Sequence, residues 1–187
     1  MRVIFIRHGK TKGNIEKRYI GSTNEGLSDT GIYEIQCFKE KYPKSERIIS
    51  SPMRRCIETT KIIYGDGFEI YDDLRECDFG DFENKNYNEL KDNSEYLKWL
   101  ESGGKTGFPG GEGYFEFRMR CVKCFEKVVL NNNAESVTFV THGGTIMAIL
   151  ERFYYEKKSF FDWKIENGEY LEFEILENED GIYLKDL

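Results

Sequence analysis

The succession of strand-like and helix-like stretches in this 187-residue chain predicts an α/β protein: a three-layer α/β/α sandwich with a mainly parallel central sheet and antiparallel strands at its C-terminal end. Three observations carry that expectation. Val3 to Ile6 is a continuous apolar run, the pattern of a strand buried on both faces, and it stops abruptly at Arg7-His8-Gly9. Ser136 to Val140 repeats the pattern and also ends in a turn, Thr141-His142-Gly143-Gly144. Between and after these runs, apolar residues recur at helical spacing.

Taken in order, Ser28 can cap a helix running to about Tyr42, and Arg47 to Ser50 reads as a second short strand. Ser51-Pro52 has the form of an N-cap followed by a first-turn proline, and Met53, Cys56, Ile57, Thr60 and Ile63 give the helix after it an inward stripe. Phe68 to Tyr71 is a weaker strand. Leu74 to Glu83 is too charged and glycine-marked to be regular. Residues 84–111 form a polar excursion punctuated by Gly103, Gly104, Gly107 and Gly110, with a helical piece around Tyr96 to Leu100, and are expected to lie over a site like a cap. A long helix is expected from about Glu112 to Leu130, then an Asn-rich turn, the strand at Ser136, and a further helix from the glycine turn. Strand patterns follow at Phe160 to Ile165, Tyr170 to Leu176 and Ile182 to Leu184, with Asn167-Gly168 as a hairpin signal.

A hydrophobic content of 39%, with 15% aromatic residues, suffices for one well-filled core, so residues 1–187 are expected to form a single domain. The net charge of −7 provides no global field for nucleic acid or an acidic membrane surface, so an anionic ligand would need a local basic pocket. No run approaches the roughly 20 apolar residues of a membrane span, and the N-terminus lacks a signal-peptide layout; a cytoplasmic protein is expected. The five cysteines are odd in number and irregularly spaced, which fits reduced thiols. Cys121 and Cys124 form a C-x-x-C pair, but they share helical spacing with Phe117 and Val128 and read as core positions rather than metal ligands. No pattern specifies an oligomeric state.

In open α/β sheets, ligands bind beyond the carboxyl ends of the strands. The chemistry-bearing residues of this chain fall at those ends: Arg7 and His8 after the first strand, Ser51 and Arg55 after the second, Glu76 after the third, His142 after the fourth. The chain's two histidines both stand in such turns, each followed by glycine. These residue types suit phosphoryl transfer. Guanidinium forks bind phosphate oxygens and stay charged, imidazole can form a covalent phosphorylated intermediate, and a carboxyl group can protonate a departing alkoxide. Glycines let backbone approach the ligand, and a helix starting near Gly143 adds partial positive charge. A metal-dependent hydrolase is disfavoured, because two histidines at separate strand ends without a clustered partner make a poor ligand set.

The motifs also resemble a known family. Arg7-His8-Gly9-Lys10-Thr11 with Asn14 resembles the RHGxTxxN signature of the histidine phosphatase superfamily, the phosphoglycerate mutase-like proteins. Ser51-Pro52-Met53-Arg54-Arg55 resembles SPLxR, Leu74-Arg75-Glu76 through Phe79-Gly80 resembles LxExxFG, and Thr141-His142-Gly143-Gly144 resembles the SHGG turn. The resemblance implies a phosphoglycerate mutase-like fold and a metal-independent phosphomonoesterase. It implies that His8 is the phosphorylated nucleophile, that Arg7, Arg55, His142 and Gly143 bind the phosphoryl group with help from Asn14, and that Glu76 donates the proton. Thr11, Ser22 and Thr23 are further candidate contacts, and no metal or organic cofactor is implied. The short chain and Phe108-Pro109-Gly110-Gly111-Glu112 before a long helix are most similar to the α-ribazole phosphatase branch, which acts on a cobalamin precursor. Phosphoglycerate mutase activity is the second reading, and a catalytically idle phosphate-binding module is the alternative from another class. Lys10, Asn24, Gly26 and Asn84 depart from the family's usual residues. Lys10 reads as a solvated charge or, alternatively, as a contact to a second anionic group.

Overall fold

A computed structural model describes residues 1–131, 133–179 and 181–187. Its centre is a six-stranded sheet in the order β3-β2-β4-β1-β5-β6, formed by β1 (Arg2–Arg7), β2 (Arg47–Ser50), β3 (Glu69–Ile70), β4 (Ser136–Thr141), β5 (Tyr170–Asn178) and β6 (Gly181–Asp186). The first four strands pair in parallel, and β5 and β6 add on antiparallel. This is the mixed α/β sheet that the sequence predicts.

The apolar run of β1 is continuous because both of its faces are covered. Val3 and Phe5 pack into one core with Phe125, Val137 and Phe139, beneath α6 (Tyr114–Leu130) and α7 (Gly143–Phe153). Ile4 and Ile6 face the other way, toward Ile35 on α2 (Asp29–Phe38) and Cys56 and Ile63 on α3 (Arg54–Tyr64). Cys121 and Cys124 are core positions, with burial pushing each thiol up to about 12. Among the described residues, no helix is long and apolar enough to cross a membrane.

Register then sets the site. Arg7 lies opposite Thr141 and Ser50 opposite Val140, so the next residue on each strand, His8, Ser51 and His142, emerges at one edge. The amides of His8 and Ser51 extend the ladder, donating to Thr141 O and Val140 O at 3.0 Å each.

Several local expectations change. Ser51 is not the N-cap: α3 begins at Arg54, whose amide donates to Asn24 Oδ1 at 2.7 Å, while Ser51 Oγ accepts from the Met53 amide at 3.3 Å and also meets His142. The expected strand at Phe160 to Ile165 is a 3-10 turn, Phe160–Trp163. Asp162 accepts from the Ser159 amide there, and Trp163 is buried against Tyr154 and Phe173. Asn167-Gly168 does not join paired strands. Gly168, at φ 80°, turns the chain into β5 and donates its amide to Arg7 O and His8 O, while the hairpin joins β5 to β6 with Asn178 opposite Gly181. The Asn-rich turn after α6 includes Asn132, which lies outside the described residues.

The excursion is less polar than its composition suggests. It carries two short helices, α4 (Tyr87–Leu90) and α5 (Ser94–Glu101), and buries Leu90 and Tyr96 against Phe82. Asn84, at φ 60°, occupies the left-handed region that asparagine tolerates better than most residues, which accounts for its standing where glycine is common.

Candidate functional site

The two imidazoles lie side by side, ring centroids 5.2 Å apart, at the carboxyl ends of β1 and β4. His8 is 4% exposed and His142 is fully buried. His8 Nδ1 lies 2.8 Å from Gly9 O, which can only accept, so Nδ1 carries the proton and Nε2 keeps its lone pair in the neutral ring. The turn is pinned in turn: the Gly9 amide donates to Thr59 Oγ1 at 3.0 Å, and that hydroxyl donates to Arg55 O. For His142 the logic reverses. Arg55 Nε donates to Nδ1 at 3.3 Å, so the proton sits on Nε2, which donates to Ser51 Oγ at 2.7 Å. Burial, followed by the charge of Arg55 and other nearby cations, holds both rings well below the usual imidazole range.

The two guanidiniums are supplied by β1 and α3. Arg55 is fully buried and anchors the loop at residues 20–23, donating to Thr23 O at 2.8 Å and Gly21 O at 2.9 Å. Arg7 donates to Ile165 O at 2.6 Å, while its Nε is buried with no hydrogen-bond partner among the described residues. Both arginines thus donate to backbone carbonyls, which carry no net charge, while Glu76 acts on Arg7 through space. A buried donor without a partner is costly.

Glu76 approaches the N-terminus of α7. Its carboxylate accepts from Gly144 N at 3.1 Å and from its neighbour Cys77 N at 3.0 Å. Burial outweighs these bonds and pushes the carboxyl above its ordinary range. The glycine pair makes this packing possible. A Cβ on Gly144 would sit 2.4 Å from Glu76 Oε1, whereas one on Gly143 would meet Arg7 Nε at an ordinary 3.4 Å.

Among the sequence candidates, Arg7, His8, Arg55, Glu76, His142 and Gly143 therefore meet at one edge of the sheet. Asn14 and Thr11 stand just behind, in a mutual capping box at the start of α1 (Lys12–Ile15). Asn14 Oδ1 also accepts from Asn167 Nδ2, which donates to His8 O at 3.1 Å. Lys10 is instead paired with Glu34 at 2.7 Å, on the solvent side. Ser22 and Thr23 are not free donors: both amides and the Thr23 hydroxyl go to the Glu83 carboxylate, and the Ser22 hydroxyl goes to Asp78. Thr59, Glu83 and Asn167 are the supporting residues that sequence reasoning missed, while Ser51, placed at a strand end, and Gly144, in the glycine turn, take supporting roles. The three that were missed act through contacts distant in sequence. Among the described residues, no group of three or more His, Cys, Asp or Glu side chains could hold a metal ion.

Fold and site together define an α/β protein with two buried histidines and two arginines gathered beyond the carboxyl ends of a parallel sheet. Residues 3–184 match the model of the histidine phosphatase superfamily (branch 1), and the chain belongs to that family. It is 31% identical over 160 residues to phosphoglycerate mutase-like protein 4 of Arabidopsis thaliana, covering 80% of this chain and 70% of the relative. It is 23% identical over 177 residues to the adenosylcobalamin/alpha-ribazole phosphatase of Salmonella typhimurium, covering 90% and 87%. The crystal structure of the alpha-ribazole phosphatase from Shigella flexneri superposes with a TM-score of 0.85 at 23% identity, covering 100% of this chain and 96% of that one. The protein is a phosphatase.

The glycine geometry separates two substitutions. Gly144→Ala should displace Glu76 and lower turnover of an alkyl phosphate about a hundredfold, the scale of a lost general acid, whereas Gly143→Ala should cost less than about threefold. Steady-state kinetics on both variants checks this; equal losses would contradict it.

Proposed function

We propose that this phosphatase hydrolyses small organic phosphate monoesters through a phosphohistidine on His8, without a metal ion. The observation that carries the reading is the buried imidazole pair, in which His8 is held neutral with its Nδ1 proton fixed on Gly9 O. Nε2 of His8 attacks phosphorus as the ester oxygen departs. Arg7, Arg55 and the N-terminus of α7 offset the charge on the equatorial oxygens, the main need of such a transition state. His142, carrying its proton on Nε2, can pass that hydrogen bond from Ser51 to a phosphoryl oxygen. Glu76, whose carboxyl burial pushes above its ordinary range, gives its proton to the leaving alkoxide. The resulting carboxylate then takes a proton from the water that attacks phosphohistidine, so ester and water become alcohol and phosphate with His8 and Glu76 restored.

α-Ribazole 5'-phosphate is the leading candidate substrate, supported by the name of the Salmonella relative and by the motif pattern, within a broader range of phosphate esters. Phosphoglycerate mutase activity would require a second anion to be held nearby; the pairing of Lys10 with Glu34 argues against Lys10 in that role. An idle module would not be expected to keep His8, Glu76, Arg7, Arg55 and His142 together.

Two outcomes are expected. In acid- and base-quench experiments with labelled substrate, wild-type protein should carry acid-labile, base-stable phosphate and His8→Ala none; persistent labelling of the variant would refute the nucleophile assignment. The second concerns pH. The ring must be unprotonated to attack, so kcat/KM should rise with pH along a limb lying below the ordinary imidazole value of 6.5. It should then fall as Glu76 ionises, along a limb above the ordinary carboxyl value of 4.5. Glu76→Gln should abolish the falling limb, and its survival in that variant would exclude Glu76 as the acid.

A further inference from the structure

Asn167, half-buried in the turn that leads into β5, takes no direct part in phosphoryl transfer, yet its side-chain nitrogen is committed twice beside the site. Nδ2 donates at 3.1 Å to His8 O and at 3.1 Å to Asn14 Oδ1. The turn leaves this side chain little freedom. The Glu166 amide donates to Glu169 Oε2 and the Glu169 amide to Glu166 O, the Gly168 amide donates to Arg7 O and His8 O, and Tyr42 Oη donates to Gly168 O at 2.6 Å. The sense of both carboxamides follows from partners that admit one role only. The Thr11 N–H can only donate, so the Asn14 atom 3.1 Å from it is the oxygen. His8 O can only accept, so the Asn167 atom facing it is the nitrogen, whose two hydrogens serve His8 O and Asn14 Oδ1. With two donors on its oxygen, Asn14 keeps an NH2 group that has no hydrogen-bond partner among the described residues. That group is not one of their buried orphan atoms, so it stands open to solvent.

We propose that Asn167 is a positioning residue: it holds the carboxamide of Asn14 in the orientation that offers an open N–H donor, rather than an acceptor, to the anion at His8. The proposal rests on the reading that a phosphoryl group is bound and transferred there. A carboxamide exchanges its oxygen for its nitrogen by a half-turn about χ2, a broad torsion that does not by itself select one end. For an oxyanion the two ends are opposites, one donating a charge-assisted hydrogen bond and the other presenting only lone pairs. The Thr11 amide gives the Asn14 oxygen one hold and Asn167 gives it a second, from a loop 153 residues away. Because the same nitrogen also binds the carbonyl of His8, it ties the orientation of the Asn14 donor to the main chain of the proposed nucleophile.

The experiment is a double-mutant cycle between Asn167→Asp and Asn14→Ala, read as the dissociation constant of inorganic phosphate by calorimetry, with kcat/KM on propyl phosphate in parallel. Aspartate has the shape of asparagine but no N–H, so it repels Asn14 Oδ1 and draws Asn14 Nδ2 toward itself. With Asn14 present, Asn167→Asp should weaken phosphate binding roughly tenfold or more, the scale of one hydrogen bond to a charged group. With Asn14→Ala, where no amide remains to turn, the same change should weaken it less than about threefold. The added negative charge acts in both backgrounds and cancels in the cycle. Asn167→Ala, which removes the hold without adding charge, repeats the comparison if the aspartate variant fails to fold, with an expected loss of about threefold that vanishes with Asn14→Ala. Equal losses in the two backgrounds, in a protein that hydrolyses propyl phosphate, overturn the role of Asn167 and leave the phosphatase mechanism intact. Coupled losses of phosphate binding, in a protein that turns over no ester, support the role and defeat the mechanism. Absence of both phosphate binding and turnover in the wild type overturns the two together.

Discussion

The structure turns on a surplus of buried positive charge. Arg7 and Arg55 enter the edge of the sheet and donate to carbonyls of Ile165, Gly21 and Thr23, which bind them without neutralising them. Ions are expensive to bury, and each pKa unit by which they disfavour a neighbouring cation corresponds to about 1.4 kcal/mol. Here that cost has a use. Burial first, and then the charge of these arginines, holds His8 and His142 well below the usual imidazole range, so the same residues that are costly to bury favour neutral rings beside them.

The fold can meet this cost because the charged residues stand on rigid supports. Parallel strands aligned at their carboxyl ends deliver His8, Ser51 and His142 to adjacent positions, and the hydrophobic layers on both faces of β1 and β4 fix that alignment. Around this frame, short polar chains do the fine positioning. Thr59 holds the Gly9 turn, Asn167 links His8 O to Asn14, and Ser51 sets the proton of His142. Glu83 gathers the amides of residues 21–23, the loop whose carbonyls receive Arg55, so a carboxylate outside the site governs a guanidinium inside it.

The principal strands, the long helices and the residues of the cradle were legible in the sequence because each had a local signal: an apolar run, a helical stripe, or a histidine before glycine at a strand end. Residues whose roles depend on distant partners were not. Ser51 was placed at a strand end, but its bond to His142, 91 positions away, had no local signal, because before Pro52 it has the composition of a helix cap. The alternating pattern at Phe160 to Ile165 imitates a strand, but the pairing of Ser159 with Asp162 closes a 3-10 turn first. The excursion read as polar because its apolar residues are few; Tyr96, Trp99 and Phe108 are nevertheless what ties it to Phe82 and shapes the wall beside Glu76.

The central claim is that His8 waits as a neutral ring with its proton on Nδ1. Nitrogen-15 NMR of histidine-labelled protein reads both features together. At pH 6.5, the ordinary imidazole value, a normal histidine is half protonated, whereas His8 should show a protonated Nδ1 and a bare Nε2. An imidazolium signal at that pH, or a proton residing on Nε2, would contradict the account.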